Sequence, residues 1–544
     1  MIKNFLSSNI DDAQRKFIQD IVDLGLSFYK GDIRENLVIK YKDNDNLIAL
    51  IEEDLPYKEG KSLENLFKDL EQICKYSISQ SDPRYMAFPD TGNSLAGIIS
   101  DILKVFLNQN LIAVDRSAPI ATFVEIQVLL WLRQLIGYSF NSLTKTNSLS
   151  DIGGMWTSGG NMSNHIAMMV ALNYMFPSIK EKGIFSLEKK PSIVLAKDIA
   201  HFSFKSAALA LGLGEKNIIW TSTTENYTSN IDNIRKTLLN TPKDKSPFML
   251  ICVAGNCRTT SIDNIIQMRR IADDFGLWLH VDACHGGNLL FSKTKKQMLK
   301  GIELADSVSL DPHKGLFLTY PSSYIFFKDP KALTIFSRYP SKTLSGDVYD
   351  LGLITPFYGS KGFESLKLWL LIKNLGVDGI GKLIDQRNAL NAEMTHLLRN
   401  TSLFTFLNTN TFYRVAFIFF PDYLRNSFYQ KITQKVLSIE KGISLINKYT
   451  ELFCEALYKN GKVVFDRFSL PDFNNNLGLN YNGKLTVMGM AIGQHDLTNK
   501  IKEDIINEVK KIGSQYSIQF EKELNFLHTY SEENSRNDIS PASW

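Results

Sequence analysis

Cysteine is scarce, with five in 544 residues, at positions 74, 252, 257, 284 and 454. No paired spacing links them, which excludes a disulfide framework, gives no ligand set for a metal and predicts a reducing, cytoplasmic setting. No stretch reaches the ~18 apolar residues that cross a bilayer, and the start, Met1-Ile-Lys-Asn-Phe-Leu-Ser-Ser, meets charge before an apolar core forms. A membrane partner is therefore not expected. Charge of one sign is lacking too: 61 Lys and Arg stand against 57 Asp and Glu, a net charge of +4, which speaks against a nucleic acid partner. Internal repeats and low-complexity tracts are absent.

What is present is a globular composition, 44% hydrophobic, in a chain long enough to divide into a large domain and smaller ones. Residues 1–110 read as amphipathic helices, among them Asp11–Tyr29 and Leu95–Leu107. From 111 to 390 short apolar strands (Ser192–Ala196, Phe248–Ala254, Leu277–Asp282, Ser307–Leu310) alternate with helices, which predicts a mainly parallel α/β sheet flanked by helices. Residues 391–520 read as a smaller α+β domain with strands Phe412–Phe420 and Lys484–Ala491. The polar residues 521–544 read as a tail.

Within the α/β region, Lys314 stands in Asp311-Pro-His-Lys-Gly315 and Asp282 ends an apolar run, Phe275 to Val281, that reads as a buried strand. A lysine in a loop is usually a solvated charge. A carboxylate at the carboxyl end of a buried parallel strand, however, faces the crevice where ligands bind. A Schiff-base amine needs a site poor in water, and a pyridine nitrogen needs a buried carboxylate to stay protonated, so the pair suits pyridoxal 5′-phosphate. Gly159, Gly160 and Asn161, in Trp156-Thr-Ser-Gly-Gly-Asn-Met-Ser-Asn-His165, precede a helical spacing of apolar residues where backbone amides could meet a phosphate. Neither the dinucleotide fingerprint nor the nucleotide-triphosphate loop occurs in that stretch. His201, between a strand and an apolar helix, could stack on a ring and move a proton, or be a buried histidine with a satisfied hydrogen bond.

Together with Asp82-Pro-Arg-Tyr-Met-Ala-Phe-Pro-Asp-Thr-Gly-Asn-Ser94, Ser117-Ala-Pro-Ile-Ala-Thr-Phe-Val-Glu125, His280-Val-Asp-Ala-Cys-His-Gly-Gly287 and Phe363-Glu-Ser-Leu-Lys-Leu-Trp369, these motifs resemble the group II pyridoxal-phosphate-dependent amino acid decarboxylases. The resemblance runs from about residue 80 to 390. It implies a fold-type I large domain with a seven-stranded sheet, and a homodimer whose N-terminal helices pack on the partner and whose active sites are shared. It also implies Lys314 as the residue that bonds the cofactor, Asp282 on the pyridine nitrogen, His201 on the ring, and Gly159, Gly160, Asn161 and His313 at the phosphate. Asn256 or Cys257 stands where the family often has threonine, Cys284 where an alanine lies beneath the ring, His285 where many members carry an aromatic, and Lys361 where many carry arginine.

The family's mobile loop, whose tyrosine returns a proton to the substrate carbon, corresponds to Arg338–Tyr358. Tyr339, Tyr349 and Tyr358 are available there, and Tyr349, beside Gly346 and Gly352, is favoured. Phe88 and Tyr85 point to an aromatic or apolar substrate side chain, with Phe88 and Asp90 as substrate contacts, whereas Arg84 and Asp90 could equally read a charged one. Decarboxylation of an L-amino acid to amine and carbon dioxide is the expected activity. An oxygen-consuming, aldehyde-forming enzyme, a decarboxylase for acidic or basic amino acids and an inactive scaffold are the alternatives.

Overall fold

A computed structural model describes residues 6, 10–55, 60–336, 348–409 and 411–536. In chain order its strands are β1 (Tyr85–Met86), β2 (Gly154–Thr157), β3 (Lys190–Ala196), β4 (Ile218–Thr221), β5 (Lys245–Val253), β6 (Trp278–Ala283), β7 (Ser307–Leu310), β8 (Ser323–Phe327), β9 (Phe404–Phe406), β10 (Arg414–Phe419), β11 (Val464–Pro471) and β12 (Lys484–Ala491). Seven form one sheet in the order β2-β8-β7-β6-β5-β3-β4. The run from β7 through β4 is parallel, whereas β8 is antiparallel to both β2 and β7.

The parallel part follows from composition. Strands such as β6 and β7 are buried along their whole length, so both faces need cover, and helices supply it. The reversal at β8 has a physical cause as well. Between Leu310 and Ser323 lies only the single turn Pro312–Lys314, with no crossover helix to bring the chain back parallel. That short return carries the lysine motif and leaves it at the carboxyl end of β7.

The helix Gly160–Met175 starts three residues after β2 and lies on the sheet, with Ile166, Ala167, Val170 and Ala171 buried. Its apolar residues surround the helix axis because it is covered by the sheet on one side and by the helix Ser203–Ala210 on another. By length and composition the helix Pro119–Ile136 could cross a bilayer, contrary to the expectation from the sequence. Here its Leu129, Leu130 and Leu132 are core residues and its Glu125 and Arg133 are buried in polar contacts.

A second sheet, β1-β11-β12-β10-β9, is built from the C-terminal region with one addition from the other end. β1 pairs in parallel with β11, Tyr85 opposite Val464, and the other neighbours are antiparallel. The amides of Val38 and Ile39 also donate to the Gly461 carbonyl. The expected boundary at 110 is thus bridged by main-chain pairing, and the helix Leu366–Arg399 runs through the one expected at 390. The polar tail expected from 521 begins inside the helix Asn499–Arg536, where Leu524 is buried. Residues 537–544 lie outside the described ones.

Gly461, which closes the helix Ile439–Asn460, sits at φ +76° with the Ile39 carbonyl oxygen 2.2 Å from where a Cβ would stand. Gly461→Ala is expected to cost about 1–3 kcal/mol through left-handed strain and overpacking. The urea midpoint should fall accordingly, and an unchanged midpoint would refute this attachment of the N-terminal segment.

Candidate active site

At the carboxyl ends of β5, β6 and β7 the chain encloses a cleft lined by Gly160, Asn161, His201, Asn256, Asp282, Cys284 and Lys314 from among the residues expected there. Asn164, Ile199, Val253, Gly255, Cys257 and His285 complete it. The lysine and the aspartate therefore share one cavity, as a single ring between them requires.

Asp282 ends β6 and is almost wholly buried. One carboxylate oxygen accepts the Asn164 side-chain N–H (2.9 Å); the other accepts the Cys284 backbone N–H (3.2 Å) and the Ser309 hydroxyl (3.4 Å). Burial alone would raise its pKa. The neighbouring imidazoles of His201 and His280 and the hydrogen bonds from Cys284 and Asn164 outweigh burial and hold the carboxyl below its ordinary value. Asp282 is thereby kept as an anion inside an apolar sheet.

Lys314 reaches the cleft from the turn after β7, with Nζ 2.9 Å from Asp311 Oδ2. Burial disfavours its charge, but Asp311 above all, with Asp90, reverses that effect and holds the ammonium above the usual lysine range. The sequence reading passed over Asp311, which the structure makes the lysine's ion-pair partner. His313 turns the other way: its Nδ1 lies 2.8 Å from the Ser322 carbonyl oxygen and its ring packs tilted against Tyr320 at 4.6 Å, and it does not line the cleft.

His201 Nδ1 accepts the Ser203 backbone N–H (3.2 Å) and lies 2.9 Å from the Ser203 hydroxyl. Burial lowers its pKa against the opposing pull of Asp282, which favours the neutral ring. At the helix start, a Cβ on Gly160 would stand 2.5 Å from Cys284 Sγ and 2.6 Å from Asp311 Oδ2. Only glycine leaves that corner open. Asn256 lines the cleft, yet its amide is engaged in its own turn: the carbonyl accepts from the Arg258 and Thr259 amides and the NH2 donates to Thr259 Oγ1.

Two expected contacts are engaged elsewhere. Phe88 is 41% exposed and lies under the Arg414 guanidinium at 5.8 Å, so it does not face the cleft. Tyr349 donates its hydroxyl to the Thr146 carbonyl (2.6 Å) and packs edge-on against Phe123. Lys361 is buried in an ion pair with Glu125 over the Trp156 ring, a structural role. Tyr358, another candidate for the mobile loop, accepts the Ser158 backbone N–H (3.0 Å) just before the glycine pair. Tyr339 lies outside the described residues. Asp90 does not line the cleft either, but it is buried within electrostatic reach of Lys314, with a hydrogen bond from Tyr320, Oδ1 without a hydrogen-bond partner, and its pKa raised by burial.

Asn164, like Asp311, is a residue of the site that inspection of the sequence missed. It follows Gly160 by one helical turn and so lies on the face that looks toward Asp282, a spacing that could have revealed it.

A family profile described as the pyridoxal-dependent decarboxylase conserved domain matches residues 45–419, more than half of the chain. The L-2,4-diaminobutyrate decarboxylase of Acinetobacter baumannii is 28% identical over 400 residues, covering 70% of this chain and 76% of that protein. The cysteine sulfinic acid decarboxylase of Mus musculus is 26% identical over 453 residues, covering 80% and 89%. A solved structure of Oryza sativa TDC with PLP and tryptamine superposes with a TM-score of 0.77 at 20% identity, covering 94% of this chain and 99% of that one, a likeness of fold.

The cleft fits pyridoxal 5′-phosphate on its own geometry, since an anionic carboxylate, an amine and a corner that only glycine leaves free line one cavity. Gly160→Ala should weaken cofactor binding at least ~10-fold, the equivalent of 1.4 kcal/mol. Fluorescence titration of the apoprotein with the cofactor measures this, and an unchanged Kd would show that the corner is not part of the binding site.

Proposed function

The chain belongs to the pyridoxal-dependent decarboxylase family, and from that premise we propose that its substrate is an L-amino acid with a short, cationic side chain, read by Asp90. As a member of the family it is a lyase that uses pyridoxal 5′-phosphate to release carbon dioxide from an amino acid. When bound, the cofactor supplies a conjugated ring that draws off the electron pair left at the α carbon.

The chain's own residues divide the remaining work. Lys314 offers the amine that would bond the cofactor, and Asp311, 2.9 Å away, holds that amine in place as its ion-pair partner. Asp282 holds a proton on the ring nitrogen, which it can do because Asn164, Cys284 and Ser309 keep it ionised. His201 covers the ring as a neutral imidazole. Gly160 and the amides that open its helix receive the phosphate. Cys284, which lines the cleft, stays uncharged because burial pushes its thiol pKa up.

One observation carries the substrate assignment. Asp90 is 8% exposed, burial raises its pKa, and Oδ1 has no hydrogen-bond partner, while the cations in electrostatic reach of it are Lys314 and Arg387. Bonded to the cofactor, Lys314 would no longer present a free ammonium to that carboxyl. A buried carboxyl short of counter-charge is costly, and an ammonium at the end of a short side chain adds to what Arg387 supplies. Asp90 lies beyond ion-pair contact with Lys314 yet within its electrostatic reach, which suits a side chain of few atoms. The relative that acts on diaminobutyrate is consistent with this. The aromatic preference drawn from Phe88 loses its basis, because that ring faces Arg414.

We further infer a homodimer, supported by the helix Leu95–Leu107, which leaves Leu95 71% and Val105 67% exposed.

Two variants test these roles. Lys314→Ala should abolish carbon dioxide release from every amino acid while the melting temperature stays within a few degrees, and residual turnover would reject Lys314 as the reactive amine. With oxygen consumption monitored alongside, Asp90→Asn should lower kcat/KM for L-2,4-diaminobutyrate by roughly 100-fold, as expected for loss of a buried charge contact. Aspartate, cysteine sulfinate and tryptophan should be affected less than threefold. If one of those is the better substrate of the unmodified enzyme, the assignment of a cationic side chain fails.

A further inference from the structure

A continuous hydrogen-bonded chain runs from the middle of the sheet to both functional groups of the cleft. Trp278 Nε1 lies 2.8 Å from Ser307 Oγ, and Ser307 Oγ lies 2.9 Å from His280 Nδ1. His280 Nε2 lies 3.1 Å from Asn164 Oδ1, and Asn164 Nδ2 is 2.9 Å from Asp282 Oδ2 and 3.0 Å from Ser203 Oγ. Ser203 Oγ is in turn 2.9 Å from His201 Nδ1. Trp278 is 5% exposed, Asn164 1%, and His280, Ser307 and Ser203 0%, so water does not complete these bonds.

The direction of every proton follows from groups that have no choice. An ionised Asp282 can only accept, so Asn164 must present its NH2 to Asp282 and its carbonyl to His280. His280 must then carry its proton on Nε2, and its Nδ1 must accept from the Ser307 hydroxyl. At the far end the indole N–H can only donate, so Ser307 accepts from Trp278 and has its own proton free for His280, in agreement with the direction set at Asp282. The second Asn164 hydrogen goes to Ser203. The Ser203 backbone N–H, another obligate donor, points at His201 Nδ1 (3.2 Å), which must therefore be an acceptor. The low pKa of His280, pushed down to about 4 mainly by burial, agrees with a neutral ring.

We propose that Asn164 is a positioning residue that joins the ring-nitrogen carboxylate to the ring-covering imidazole, with the proton order of the whole relay fixed at its two ends by Asp282 and Trp278. His201 is consequently locked as the Nε2–H tautomer and meets the cleft as a hydrogen-bond donor. Asp282 receives a donor that cannot rotate away, since Asn164 is itself pinned by His280. The inference rests on the roles given above to Asp282 and His201, and it does not depend on which side chain the substrate carries.

The test uses holoenzyme containing 15N-labelled histidine, with the His201 resonance identified by comparison with a His201→Gln sample. In the unmodified enzyme the shifts should report a neutral His201 with its proton on Nε2, and a proton on Nδ1 would overturn the relay. In Asn164→Asp the facing carboxylates should disturb the ionisation of Asp282. The visible spectrum of the bound cofactor should then change with pH over a range in which the unmodified spectrum does not, with kcat lowered roughly 100-fold and KM changed less than threefold. An unchanged spectrum in that variant would overturn the coupling to Asp282. Should Asn164→Asp fail to fold, Trp278→Phe, which removes the distant donor, should leave the His280 proton on Nε2, because Asp282 sets it through Asn164. A proton on His280 Nδ1 in that variant would overturn the relay.

Discussion

A negative charge kept inside an apolar sheet is the constraint on which this protein is organised. Asp282 ends a strand that is buried along its whole length, and burial by itself would protonate it. The surrounding architecture exists in large part to prevent that. The helix Gly160–Met175 brings Asn164 to one oxygen, and the turn at Cys284 and the neighbouring strand at Ser309 bring donors to the other. Removing any one of these leaves a buried charge less than fully bonded, a cost of about 1–3 kcal/mol or more for a charged group.

The same arrangement explains why the site lies where it does. Parallel strands β5, β6 and β7 all end at one edge, so a carboxylate from one and a lysine turn from another converge without any long-range loop. The short antiparallel return into β8 then fixes the lysine turn, because no crossover helix separates it from the sheet. The start of the helix Gly160–Met175 closes the cleft from the β2 side, and its first glycine leaves room that any side chain would fill.

Much of this was legible in the residues. Continuous apolar runs with a carboxylate at the end, such as Trp278–Ala283, announce a buried parallel strand and its functional edge, and Lys314, Asp282, His201 and Gly160 all meet in one cleft. What was not legible depends on long-range contacts. Nothing local in Tyr85–Met86 says that it will pair with Val464 and Phe465, and nothing in Phe88 says that its ring will find Arg414. Tyr349 shows the limit of glycine-flanked spacing as a guide, since its hydroxyl is satisfied by Thr146. Asp311 and Asn164 were overlooked because each acts through another residue and has no chemistry of its own to advertise.

The central claim, that Asp282 is held as an anion in order to keep a proton on the cofactor ring, can be measured at the atom concerned. Holoenzyme reconstituted with pyridoxal 5′-phosphate labelled with 15N in the ring should give a nitrogen shift characteristic of the protonated pyridinium at neutral pH. A shift characteristic of the unprotonated ring in the unmodified enzyme would contradict the account.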